Sequence, residues 1–142
     1  MLALTVETSE VRAFMNRILV SDIFDALQVR VVELSSAINF SIDAGGIAWE
    51  ALKPTILAII KAGHKPVRLK IVFSYHAAEV ADIHTNAQAL FLNLAYESDA
   101  ITLTTATAQR EFALDKSLDI AWDEWVLNFF AEKSVAVSEK EI

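Results

Sequence analysis

The apolar residues in the first half of the chain change from strand-like to helical spacing and back. Residues 2–6 alternate apolar and polar as a short strand does. A helical pattern follows, with its apolar positions at Val11, Phe14, Met15, Ile18 and Leu19. Residues 29–34 and 37–42 then alternate on either side of Ser35-Ser36, which predicts a β-hairpin. We expect the apolar face of this hairpin to consist of Ile38, Phe40 and Ile42.

A second helix is predicted from Pro54 onward. Proline costs about 3 kcal/mol inside a helix but is favourable in the first turn, so residues 47–53 are interpreted as an entry turn. Gly45-Gly46 is expected to end the preceding strand. Gly63 is a suitable residue to stop the helix, because glycine readily adopts the left-handed conformation that follows many helix ends.

The second half of the chain repeats this order of patterns. A strand is predicted over residues 69–75, a short helix over 77–84, and a second hairpin over 90–103 that turns at Glu97-Ser98-Asp99. A last helix starts near Asp115 or Ser117. Its wide apolar arc contains Leu118, Ala121, Trp122, Trp125, Val126, Phe129 and Phe130.

The two halves read as βαββα pseudo-repeats, over about 1–64 and 66–134. Ile47-Ala48-Trp49-Glu50 in the first corresponds to Ile120-Ala121-Trp122-Asp123 in the second. Duplication and chance similarity both remain open. We predict one α+β domain over residues 1–134, with a mostly antiparallel sheet of about six strands and helices on one face. Residues 135–142 are predicted to be a mobile tail.

Composition points to an assembling protein. The 142 residues are 54% hydrophobic, yet no apolar run approaches the roughly 20 residues that a membrane span needs. We therefore place the surplus in a homo-oligomer interface, most simply a homodimer. The start of the chain lacks the basic residues of a secretory signal, and cytoplasm is the default localisation.

The net charge of −7 makes nucleic acid an unlikely partner, because DNA binding depends on a large basic surface. Basic residues nevertheless concentrate between residues 53 and 70, where no Asp or Glu occurs. A weak anion site is predicted there from Lys61, His64, Lys65 and Arg68. The alternative is structural, since cations stabilise the C-terminal end of a helix without any ligand.

Candidate catalytic groups are few. Asp22 and Asp25 follow the first helix and suit acid-base chemistry if one of them is desolvated; Asp115 is a third candidate. His76 and His84 are eight residues apart, whereas a metal-binding pair on a helix prefers three or four. No metal site, cofactor or nucleotide-binding motif is predicted.

Two surfaces are candidates for binding. One face of the sheet mixes apolar and polar residues, and the binding residues expected on it are Lys70, Val72, Phe91, Asn93, Thr102 and Thr104. The last helix is expected to offer an interface at Trp122, Trp125, Phe129 and Phe130. The leading hypothesis is a non-enzymatic binding or assembly module that acts as a homo-oligomer and takes a protein or small-molecule ligand. The alternative is a small-molecule sensor or an enzyme that uses Asp carboxylates.

Several short segments together resemble a domain-of-unknown-function family found in anaerobic Gram-positive bacteria. In chain order they are Phe14-Met15, residues 21–25, Ile42-Asp43, residues 66–73, 90–93 and 114–118, and Ala121-Trp122-Asp123. The resemblance covers nearly the whole chain and implies a bacterial, cytoplasmic protein, with no established activity to carry over. Two departures stand out: residues 44–48 are shorter than the polar insert usual in the family, and Ala106 replaces a common glycine.

Overall fold

The computed structural model describes residues 1–140. The helices are α1 (Val11–Val20), α2 (Trp49–Lys61) and α3 (Ser117–Glu132). The strands are β1 (Ala3–Thr5), β2 (Gln28–Ser35), β3 (Asn39–Ala48), β4 (Arg68–Ser74), β5 (Ala87–Glu97), β6 (Ala100–Gln109) and β7 (Ser138–Glu139). Short 3₁₀ turns cover Thr8–Glu10 and Ala77–Asp82, the second in place of the short helix predicted at 77–84.

All seven strands form one antiparallel sheet in the order β3-β2-β4-β5-β6-β1-β7. The predicted α+β class is confirmed, and β7 adds a strand at one edge. Hydrogen bonding continues past β7, where the Lys140 N–H donates to the carbonyl oxygen of Ala3 at 2.8 Å. Residues 138–139 thus extend the sheet, whereas a mobile tail was predicted there. Residues 141–142 of that predicted tail lie outside the described residues.

The three helices pack on the same face of the sheet, as predicted. Trp49 of α2 contacts Phe73 of β4, and Asp123 of α3 accepts a hydrogen bond from Thr105 of β6. Helix α1 contacts α3 through Phe14. One cluster of buried apolar side chains fills the space between sheet and helices; its sheet members include Leu4, Val32, Leu69, Ile71, Phe73, Leu90, Leu92 and Leu103.

The first hairpin differs from its prediction at both ends. Ile38 is 55% exposed and lies in the connection between β2 and β3, so it is not part of the apolar face that Phe40 and Ile42 share. Strand β3 also continues through Gly45-Gly46, where both glycines have positive φ angles. They form an irregularity opposite Arg30, so the expected strand end is a bulge.

The start of α2 was predicted too late. The helix begins at Trp49, which is fully buried and donates its indole N–H to the carbonyl oxygen of Ile18 at 3.1 Å. This anchor fixes the first turn. Pro54 then lies inside the helix, where its missing N–H leaves the carbonyl of Glu50, on an exposed residue, to water. Gly63 follows the helix end with a φ of 103°, which confirms the predicted stop.

The pseudo-repeats share an order of elements but not a place in the sheet. In the second half β4 pairs with β5, a strand of its own hairpin. In the first half β1 pairs with β6 of the other half and not with β2 or β3. Duplication of the sequence stays a hypothesis.

Helix α3 ends in a Schellman motif that has serine in the left-handed position. The Val135 N–H donates to the carbonyl oxygen of Phe130, and the Ser134 N–H donates to that of Ala131. Ser134 has a φ of 56°. Arg17 of α1 donates to the carbonyl oxygens of Lys133 and Ser134, which ties the two helix ends together.

Ser134→Gly is expected to raise the free energy of unfolding by about 0.5–1 kcal/mol, because glycine adopts the left-handed conformation without a Cβ penalty. Urea denaturation of both proteins measures the change. Lys133→Gly is the matched control: Lys133 has an ordinary φ of −83°, so glycine there should lower stability. Equal effects at the two positions would contradict the prediction.

Candidate functional site

The sheet face opposite the helices, called the outer face below, lies open. Cross-strand register places its residues in rows that run across the strands. The central row contains Asp43, Val31, Val72, Asn93, Thr104 and Ala3. The neighbouring row on one side contains Ser41, Glu33, Lys70, Ala95, Thr102 and Thr5, and that on the other contains Gln28, Ser74, Phe91 and Ala106. All six residues of the predicted sheet-face site thus share one surface.

Polarity varies across the outer face. The interior positions Val31, Val72 and Phe91 are apolar and half-buried. Charged residues lie both among these positions, as Lys70 and Arg30 do, and at the border, where Arg68 and Glu97 form an exposed ion pair with an N–O distance of 2.6 Å. The pair raises the pKa of Arg68, first through this hydrogen bond and then through the charge of Glu97. A surface that combines half-buried apolar residues with polar and charged ones is typical of a protein contact surface.

Arg30 lies on the outer face because the bulge directs it there. Its guanidinium carbon is 6.0 Å from the centroid of the Phe91 ring, within the range of a cation–π contact. Gly46 packs beside it: a Cβ there would lie 3.6 Å from the Arg30 Nε, an ordinary contact distance, so glycine is favoured at this position by its φ of 98° and not by lack of space. Arg30 Nε and Ser74 Oγ are both buried without a hydrogen-bond partner among residues 1–140. Polar groups in this state call for a further partner.

The predicted aromatic interface on α3 requires correction. Trp122, Phe129 and Phe130 are buried in the core of their own chain, so they do not form a surface for a second subunit. The Trp122 indole N–H donates to the carbonyl oxygen of Phe91 at 2.8 Å. Trp125 alone is half-buried, stacked between Trp122 and Phe129 at centroid distances of 5.1 and 5.2 Å. The wide apolar arc of α3 is buried against other parts of the same chain, because Tyr75 and the loop after α1 pack against its sides.

The predicted anion site is also divided by the fold. Lys61 is exposed at the end of α2, and Arg68 is paired with Glu97 on the outer face. The His64 ring packs against Phe40, and its Nδ1 lies 3.5 Å from the Ser36 Oγ. Only Lys65 lines a cleft. Gly63 reverses the chain and β4 then alternates, so these four residues point in different directions.

The cleft that Lys65 lines is on the helical side of the sheet and has a volume of about 460 Å³. Its apolar floor consists of Val11, Met15, Leu19, Ile60 and Pro66, and its polar rim of Thr8, Arg12, Lys65, Tyr96 and Asp99. Arg12 is not among the site residues predicted from the sequence. The available signal was the spacing of Val11, Met15 and Leu19, which recur every four residues on one edge of α1.

Tyr96 and Asp99 form the hairpin side of this cleft. The Tyr96 hydroxyl donates to the Asp99 carboxylate at 3.0 Å. Burial raises the pKa of Tyr96, the hydrogen bond and charge of Asp99 raise it further, and Arg12 lowers it. Ser98 and Asp99 both have positive φ angles, as a type I′ turn requires, so the predicted turn is present at the mouth of the cleft.

The candidate catalytic carboxylates do not converge. Asp25 forms a half-buried ion pair with Lys53 at 2.7 Å, and Lys53 also donates to the carbonyl oxygen of Ser21. Asp22 is exposed beside the end of α1. Asp115 lies much later in the sequence, just before α3. Hydrogen bonds from the hydroxyl and the backbone N–H of Ser117 lower its pKa. The contacts of Asp25 and Asp115 attach loops to helices and do not form a catalytic pair.

His84, Ser117 and Asp115 form a hydrogen-bonded chain in an order unsuited to nucleophilic catalysis. The Asn86 N–H donates to His84 Nδ1, so His84 Nε2 carries the proton and donates to the Ser117 Oγ at 2.9 Å. Ser117 in turn donates to Asp115. In a catalytic triad the histidine instead accepts the serine proton. Within residues 1–140, no cluster of three or more His, Asp or Glu side chains is arranged to hold a metal.

A second apolar surface lies in the loop between β6 and α3. Phe112 and Leu114 are 85% and 84% exposed, and Ile120 of α3 is exposed as well. Part of the surplus hydrophobicity is therefore on the surface, here and on the outer face.

Among the described residues, none of the helices combines the length and apolar character needed to cross a membrane. Comparisons with curated proteins and with solved structures found no match to this chain. A family model described as "Family of unknown function (DUF5721)" matches residues 45–138. The match omits the segments before residue 45 on which the resemblance also drew, and the anaerobic Gram-positive origin stays a prediction. Because the matched stretch spans well over half of the 142 residues, the chain belongs to the DUF5721 family, a family of unknown function.

Proposed function

We propose that this protein is a non-enzymatic assembly module of the bacterial cytoplasm, which forms a homodimer through the outer face of its sheet. The proposal rests on the fact that helices cover only one face of the sheet. Helices α1, α2 and α3 all pack on that face, whereas the apolar residues Val31, Val72 and Phe91 lie on the other. An antiparallel sheet whose second face meets only water normally carries polar residues there.

The size of the outer face suits a second copy of the chain. Five adjacent strands, β3 to β6 in sheet order, are 7 to 11 residues long. At about 4.8 Å between strands and about 3.3 Å per residue, they give a face of roughly 700 Å². A standard stable interface buries about 800 Å² on each partner. The two areas are close, so one sheet face supplies most of what such a dimer buries.

The charges of the outer face suit a two-fold arrangement. Glu33 and Lys70 are cross-strand neighbours, so both signs occur side by side in one row. In a two-fold dimer each patch faces a copy of itself, and a surface that carries both signs can pair opposite charges across the axis. Arg30, with a buried Nε that lacks a partner, can donate its remaining N–H groups to a carboxylate of the other copy.

Native mass spectrometry of the intact chain at micromolar concentration tests the proposal. We expect a species of twice 15.7 kDa. Val72→Asp should increase the dissociation constant roughly 100-fold or more, since each dimer would bury two unpaired carboxylates. The monomer should stay folded because Val72 faces away from the core, and circular dichroism checks this.

Val67→Asp is the matched control, because Val67 is 69% exposed and lies just before β4. It should leave the dimer intact. Phe112→Asp separates the outer face from the other apolar surface. A monomeric wild type, or a dimer that Phe112→Asp dissociates and Val72→Asp does not, would overturn the proposal.

A further inference from the structure

The cleft between α1 and the β5–β6 hairpin has the composition of a small-molecule site. Its volume of about 460 Å³ falls within the usual range of 300–1,000 Å³ for ligand pockets. Apolar side chains from α1 and α2 form the floor, and polar side chains stand only at the rim. A ligand that fills it needs an apolar body with one polar end.

The charges at the rim select the sign of that polar end. Arg12 and Lys65 form no ion pair within residues 1–140, whereas Lys53 and Arg68 both do. Both cations stand on the polar rim of the same apolar-floored cleft. They attract an anion.

Asp99 limits how much negative charge the ligand can carry. Its carboxylate accepts a hydrogen bond from the Tyr96 hydroxyl, which leaves it at the rim beside the two cations. Two cations and one carboxylate give one excess positive charge, which matches a monoanion better than a phosphate dianion. Arginine also binds a carboxylate through two parallel hydrogen bonds, a geometry that lysine alone does not offer.

From this arrangement we infer that the cleft binds a small amphipathic carboxylate. The apolar body lies against Met15 and Ile60, and the carboxylate is held by Arg12 and Lys65. The site is separate from the outer face, since α1 and α2 pack on the opposite side of the sheet. Binding at the cleft is therefore independent of the proposed dimer.

Titration of the full chain with octanoate, followed by the NMR signals of the Met15 methyl and Ile60 methyl groups, tests the inference. Octanoate should shift both signals with saturation. Acetate lacks the apolar body, octanol lacks the charge, and octyl phosphate carries a second negative charge near neutral pH. Each of these three probes should bind at least about tenfold more weakly than octanoate.

Arg12→Gln and Lys65→Gln should each raise the octanoate dissociation constant about five- to tenfold, the loss of one charge-assisted contact. Lys61→Gln is the control, because it makes the same change of charge on an exposed residue that does not line the cleft. The inference is overturned if octanoate fails to shift either signal, if octanol binds as tightly as octanoate, or if all three variants weaken binding equally. The oligomeric state, measured in the same samples, keeps this outcome distinct from that of the proposed function.

Discussion

Replacing Phe24 with alanine is expected to lower the free energy of unfolding by about 3–5 kcal/mol. Phe24 is fully buried, and its ring stacks on that of Phe73 of β4 at a centroid distance of 4.7 Å. It also contacts Phe14 of α1 and Phe130 of α3. One side chain therefore joins two helices to the sheet, and its removal leaves a cavity among all three elements.

Urea denaturation measured at one protein concentration gives the size of this loss. Phe112→Ala is the matched control, because it makes the same substitution at a residue that is 85% exposed. Its effect should stay within about 0.5 kcal/mol. If Phe24→Ala lowers the free energy of unfolding by less than about 1 kcal/mol, the contacts of the Phe24 ring with Phe14, Phe73 and Phe130 are not central to the core.

The importance of Phe24 was not visible in the sequence, and the reason is physical. It lies in the irregular connection between α1 and β2, where no period of 2 or 3.6 residues marks the buried positions. The periodic segments were predicted well by comparison. The alternation of apolar and polar residues in β4 and β5 places Ile71, Phe73, Leu90 and Leu92 on one face of the sheet, and all four are buried. Periodicity reveals burial only where the backbone itself is periodic.

The helical arc of α3 shows a different limit of pattern reasoning. Its width correctly indicated more burial than one sheet contact requires, but the extra cover comes from the same chain. Phe24 packs against Phe129 and Phe130, and Tyr75 packs against Trp125. A hydrophobic pattern indicates that a side chain is buried, but it does not indicate which part of the structure buries it.

Residues of a candidate site could be predicted from the sequence where they alternate along individual strands. They could not be predicted where the fold brings distant segments of the chain together. The outer-face residues follow from alternation within β4, β5 and β6, and the register brings them together. The cleft instead combines Arg12 of α1 with Lys65 and Tyr96, which are more than 50 and 80 residues further along the chain. No local spacing contains that information, because the position of α1 over the sheet depends on β1 pairing with β6.

The four threonines of β6 divide between two roles that the sequence did not separate. Thr102 and Thr104 lie on the outer face, whereas Thr105 and Thr107 face α3 and donate to Asp123 and Asp119. The hydrogen bonds to these two aspartates fix α3 against the sheet.

Thr105→Val is expected to lower the free energy of unfolding by about 1–3 kcal/mol, although the two side chains have nearly the same shape. The Thr105 hydroxyl is buried, donates to the Asp123 carboxylate at 2.6 Å and accepts from the Leu2 N–H at 2.8 Å. Valine leaves both groups without this partner. The start of β1 and the first turns of α3 therefore lose a common attachment to β6.

Thr102→Val, on the same strand but facing outward, is the control for urea denaturation and should change stability by less than about 0.5 kcal/mol. A double-mutant cycle with Asp123→Ala isolates the bond to α3. If Asp123 is the main partner, Thr105→Val should cost less in the Asp123→Ala protein than in the wild type, with a coupling of about 0.5–2 kcal/mol. Equal losses in both backgrounds would assign the effect to the Leu2 N–H and to the pairing of β1 with β6, not to the attachment of α3.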